Sequence, residues 1–128
     1  MKAALTALAL MTPAELPAGG LDALRWNARP VLVFAEAGDA RLDRQLALFA
    51  ENAGDLAARR NVVVVDRGGP EGAALRARFA PEGFTVILVG LDGGEKFRAD
   101  RVVDPDALDA LIDRMPMRRR ELRRLGEG

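Results

Sequence analysis

The chain contains no cysteine, no histidine, no tyrosine and no serine. Without cysteine it can form no disulfide and run no thiol redox chemistry. With histidine also missing, metal sites of the thiolate–imidazole type and imidazole acid–base catalysis are excluded as well. Thr6, Thr12 and Thr85 are the only aliphatic hydroxyls, so an activated hydroxyl nucleophile has almost no candidates. Aromatic residues are scarce, Trp26 and five phenylalanines, which disfavours nucleic acid as a partner. No run approaches the ~20 apolar residues of a membrane-spanning helix. Carboxylates, Lys/Arg and backbone amides are what remains for chemistry.

What is present describes one globular domain: 128 residues, 49% of them hydrophobic, enough for a single core. Acidic and basic residues balance at 19 each, but unevenly. Residues 114–128 hold six arginines against two glutamates, +4, and the rest of the chain is therefore −4. The first residues, MKAALTALALMTPAELPAGG, place Lys2 before an apolar run and then small residues and prolines, the pattern of an export leader. Residues 1–18 are thus expected to be a signal peptide, cut after Ala14 or Ala18. Residues 19–128 are expected to form the domain, ending in an Arg-rich segment over 116–128, with a periplasmic or secreted location.

Three apolar runs, VLVFA (31–35), VVVVD (62–66) and TVILVG (85–90), read as strands buried on both faces, because they do not alternate. Between the first two, Leu42, Leu46, Phe49, Ala53 and Leu56 recur at helical spacing behind Asp39 as N-cap, with Gly54 weakening the end. That makes a right-handed βαβ unit. A short helix around Leu75 and Phe79 follows, then an Asp-Gly turn joining 85–90 to 95–98 as an antiparallel hairpin. Asp104 and Pro105 open a last helix through Met115, which Pro116 should end or kink before a final helical stretch. The order βαβ-α-ββ-α predicts an α/β thioredoxin-like fold: a mixed sheet flanked by helices, here without redox cysteines. A parallel flavodoxin- or Rossmann-like sheet would need a helix where only a tight turn is available.

The stretches LRWNARPVLVFA, RQLALFA, LRARF, TVILVGLDGGEKFR and LIDRMPMRRREL together resemble a thioredoxin-like, peroxiredoxin-like domain of unknown function. That domain is found in small bacterial exported proteins and in animal sushi-repeat and coiled-coil extracellular matrix proteins. The resemblance runs from about Leu21 to Leu125. It implies export and the same fold, and supplies no activity and no catalytic residues.

Glu36, Gly38 and Asp39 occupy the loop where a thioredoxin fold holds its cysteine pair, at the start of the first helix. Asp39 is expected to cap that helix and Glu36 to be solvated. DRGGPEG (66–72) lacks the spacing of a phosphate-binding loop and reads as a connection. Asp92, Glu95, Asp100, Asp104 and Asp106 do not match a calcium loop, so no metal and no cofactor is expected. Trp26, just before the central strand, is expected to anchor the core. The strongest feature outside the core is the basic ending, with Arg118, Arg119, Arg120, Arg123 and Arg124 as candidate binding residues for a protein or an anionic envelope component. The alternative for those arginines is pairing with the acidic body. Two functions compete: a non-catalytic exported binding module, and an enzyme using Glu36 and Asp39 with Arg41, Arg76 or Arg98 as electrostatic partner.

Overall fold

The computed structural model describes residues 8–127. Five strands form one sheet in the order β1-β3-β2-β4-β5, with β1 Ala9–Met11, β2 Arg29–Phe34, β3 Asn61–Asp66, β4 Thr85–Val89 and β5 Glu95–Ala99. The first three run parallel, with Val31 opposite Val63 and Leu10 opposite Val63 on the other side. β4 pairs antiparallel with β2, Leu32 opposite Ile87, and β5 antiparallel with β4. The tight turn from Gly90 to Gly94 makes the hairpin, closed by the Gly90 N–H donating to the Gly94 carbonyl at 2.9 Å. The mixed sheet predicted from the sequence is therefore the observed one, and the all-parallel alternative is not.

Why the central strands carry uninterrupted apolar runs is visible in the two cores. Val31, Val33, Val63, Val65, Val86 and Leu88 pack on one face against Leu42, Phe49, Leu56, Leu108 and Ile112. Leu32, Phe34, Val64, Ile87 and Val89 point the other way, against Leu21, Leu75 and Phe79. Successive residues along each central strand serve alternate layers, so the interior positions of β2, β3 and β4 leave no room for a polar side chain.

The helices are α1 Ala40–Glu51, α2 Ala53–Ala58, α3 Ala73–Phe79, α4 Pro105–Asp113 and α5 Pro116–Glu127. The single helix expected between the first two buried strands is two, divided at Asn52 (φ −119°, ψ 22°), whose amide side chain turns back to the Leu48 carbonyl at 2.9 Å. Asparagine competes with the helical backbone for hydrogen bonds, which explains the break ahead of Gly54. Gln45 is fully buried on α1 and grips the backbone of Val103, donating to its carbonyl (2.9 Å) and accepting from its N–H (2.7 Å). Asp39 and Asp104 cap α1 and α4 as expected, and Pro116 starts α5.

Of the stretch 1–18 read as a leader, residues 1–7 lie outside the described residues, while Ala9–Met11 supply edge strand β1 and Pro13–Glu15 a 3-10 turn. A cut after Ala14 or Ala18 would take β1 away and leave the outer edge of β3 unpaired. Trp26 is no core anchor. It is 57% exposed and sits at φ +70°, held by its N–H donating to the Leu91 carbonyl at 2.7 Å. Leu21 and Leu24, just ahead of it in the chain, pack against the core layer here.

Candidate functional site

The loop after β2 is built to start a helix. Gly38 supplies the left-handed turn (φ +85°), and Asp39 accepts the Arg41 backbone N–H at 2.9 Å. The Arg41 side chain closes back on the same carboxylate at 3.0 and 2.8 Å, and its guanidinium lies 5.0 Å from the centre of the Phe84 ring. These hydrogen bonds from Arg41 hold Asp39 below the ordinary carboxylate range. Glu36 is exposed, as expected. Asp39 and Arg41 thus satisfy each other rather than facing a ligand.

Beside this loop lies a cavity of about 230 Å³ lined by Phe34, Glu36, Asp66, Arg76 and Pro81. Its buried carboxylate is Asp66, 3% exposed at the end of β3. Asp66 accepts two hydrogen bonds from Arg76 Nη1 (2.8 and 2.7 Å) and one from the Gly68 N–H (2.9 Å), and Arg76 Nη2 donates to the Gly69 carbonyl at 2.7 Å. A Cβ on Gly72 would fall 2.4 Å from the Asp66 carboxylate, so that position requires glycine. Of the three arginines the sequence offered to Glu36, Arg76 alone lines this cavity. Arg98 instead holds Glu95 (2.9 and 3.0 Å) and the Phe79 carbonyl (2.6 Å). Asp66 went unassigned in the sequence because one acid closing an apolar run, ten residues ahead of its arginine, has no distinctive spacing. What this cluster does in the structure is lock the β3–α3 connection onto the sheet.

The opposite end of the sheet carries a network of linked ion pairs. Arg29, 1% exposed at the start of β2, donates to both Glu121 oxygens (3.3 and 3.0 Å) and to the Arg59 carbonyl (3.0 Å). Arg59 pairs with Asp113 at 2.8 Å and faces Asp109 at 3.7 Å. Arg118 donates to Asp113 (3.3 Å), to Glu121 (3.2 Å) and to the Ala58 carbonyl (3.2 Å). Burial opposes ionisation of Glu121, yet the hydrogen bonds from Arg29 and Arg118 hold it below the ordinary range. Hydrogen bonding from Arg59 does the same for Asp113. Asp109 is pushed up by its own burial, against the pull of Arg59.

This network divides the basic ending. Arg118 is only 6% exposed and serves as an internal clamp, so it leaves the set of exposed binding candidates. Arg119, Arg120, Arg123 and Arg124 lie exposed on α5, and none makes an ion pair among the described residues. Pairing between tail and body does occur, but partly with reversed polarity: the acid Glu121 comes from the tail and Arg29 from the body. The five acids near the hairpin and α4 form no shared site. Asp92 is bound to Lys96 and the Gly94 N–H, Glu95 to Arg98, and Asp104 caps α4. Among the described residues no group of three acids could hold a metal ion, and no helix is long and apolar enough to cross a membrane.

Residues 20–121 match the family described as "Domain of unknown function (DUF4174)", which is most of the chain. The chain belongs to that family. No curated protein matches this DUF4174 member. Among solved structures it is similar to a mutant thioredoxin from Halobacterium salinarum NRC-1, with a TM-score of 0.63 and 18% identity over 88% of this chain and 94% of that one. It is also similar to a thioredoxin from Thermus thermophilus, with a TM-score of 0.58 and 18% identity over 82% and 85%. At that identity the likeness concerns the fold. This DUF4174 domain therefore has the thioredoxin-like architecture and, in Glu36–Asp39, no thiol where that architecture places one.

Proposed function

We propose that this DUF4174 domain is a non-catalytic binding module of the cell envelope, exported by its N-terminal segment, whose contact face is the exposed arginine row of α5. One observation carries the reading. Arg119, Arg120, Arg123 and Arg124 stand exposed in two successive turns, while Glu121 and Asp113, the acids of the adjoining network, are engaged by Arg29, Arg59 and Arg118. A row of cations left over from an otherwise paired network attracts an anionic partner. At the other end of the sheet each carboxylate beside the loop after β2, Glu36 apart, is engaged by its own arginine, which leaves no acid–base pair poised there for a substrate.

The leader-like pattern of Lys2 and the apolar run behind it supports the envelope as the setting. The test is sedimentation of the purified protein with washed cell envelopes across a salt series. The wild type co-sediments at low salt and is released as salt rises, and a variant with Arg119, Arg120, Arg123 and Arg124 all changed to Gln does not bind. Equal binding by the two proteins would remove α5 as the contact face. The intact mass of the native protein from fractionated cells checks export: cytoplasmic recovery of the unprocessed chain alone would sink that part.

A further inference from the structure

Trp26 and α5 are linked through Leu91. The Trp26 N–H donates to the Leu91 carbonyl, and Leu91 in turn lines a groove of about 190 Å³ with Arg60, Met117, Arg120, Glu121 and Arg124. Glu121 in that groove is already spoken for by Arg29 and Arg118, with Arg60 3.9 Å away, so the groove presents three arginines around a floor of Leu91 and Met117. Asp22 pairs with Arg78 and Arg25, and Asp92, next to Leu91, pairs with Lys96. On the far flank of the α5 arginines, Leu122 and Leu125 are 41% and 72% exposed.

Trp26 itself is the oddest residue here. A bulky L side chain at φ +70° costs conformational energy, and the conformation presents the largest aromatic of the chain to solvent rather than burying it. An exposed indole whose backbone is tied to the lining of an arginine-bearing groove, beside a helix with exposed Arg and Leu, is the composition of an element that lies in a lipid interface. The charge distribution agrees. A basic ending against a −4 body orients the molecule with α5 toward a negative surface and its acidic body away.

We infer that this end of the domain docks on an anionic phospholipid surface, with lipid phosphates between Arg60, Arg120 and Arg124 and the Trp26 indole at headgroup depth. This rests on the reading of α5 as the contact face and names its partner. Because Trp26 is the only tryptophan and tyrosine is absent, intrinsic emission reports this one position. On adding phosphatidylglycerol–phosphatidylcholine vesicles at low salt, the emission should move to shorter wavelength and be quenched by brominated lipid, with no change on pure phosphatidylcholine. Arg120→Gln with Arg124→Gln should lower vesicle partitioning roughly 30-fold, at about fivefold per arginine. Circular dichroism of that variant checks that it remains folded, and the wild-type emission arm needs no variant. Absence of both sedimentation and spectral shift with anionic vesicles overturns the inference. Sedimentation without a shift overturns it too, since Trp26 then stays in water. If vesicles fail while envelope binding survives lipid extraction, the partner is an acidic protein or polysaccharide and only the lipid assignment falls.

Discussion

Arg29 and Glu121, 92 residues apart in sequence, form a two-point hydrogen-bonded ion pair that ties the first residue of the central strand to the last helix. The arginine is 1% exposed and its Nε has no partner, so it depends on Glu121 and the Arg59 carbonyl for its solvation. Glu121→Ala should destabilise the domain by about 3 kcal/mol in urea unfolding, because a buried cation loses its counter-charge. Adding Arg29→Met should recover most of that loss. Additive losses in the double variant would show that the pair is not coupled.

The carboxylates of this network give opposite pH dependences. Asp113 and Glu121 have folded-state values below their ordinary 3.8 and 4.5. Their contribution is therefore complete above those ordinary values and is lost as the pH falls through the lowered ones. Asp109 is raised, so its contribution is present below 3.8 and lost as the pH rises through its raised value. Asp109→Asn should accordingly raise the Tm at pH 7, by about 4 °C for each kcal/mol released, and give no gain at pH 3. A lower Tm at pH 7 would mean that the contact with Arg59 outweighs the cost of burial.

Neighbouring arginines of α5 should behave differently. Arg118→Gln removes three hydrogen bonds from a nearly buried group and should cost about 2 kcal/mol or more. Arg119→Gln and Arg123→Gln, on the exposed face, should stay within about 0.5 kcal/mol of wild type. Thermal unfolding of the three single variants decides whether clamp and contact face are separate.

Trp26→Gly should not lower the unfolding midpoint, and relief of the left-handed backbone should raise stability by up to about 1 kcal/mol. A stable variant that no longer shifts vesicle binding toward anionic lipid would show a residue kept for contact at a cost in stability. A marked destabilisation would instead give Trp26 a packing role.

The central strands, the hairpin and the caps at Asp39 and Asp104 were legible because each is written locally, in uninterrupted apolar runs, an Asp-Gly turn or a cap followed by a helical stripe. The family likeness was legible over nearly the whole domain. β1 was not, since three residues of edge strand inside an apolar run have no signature of their own. The break at Asn52 escaped because the apolar stripe continues through it, from Phe49 to Leu56.

The candidate sites divide in the same way. Composition alone excluded thiol and imidazole chemistry and located the excess of arginine at the end of the chain. Which arginine is a clamp and which is free was decided only by tertiary structure, because Arg118 and Arg119 are identical in sequence terms and differ by 100° of helical rotation. The pairs Arg29–Glu121 and Asp66–Arg76, like the exposure of Trp26, depend on which surfaces meet when α3, α4 and α5 close on the sheet. That long-range packing has no local code in the chain.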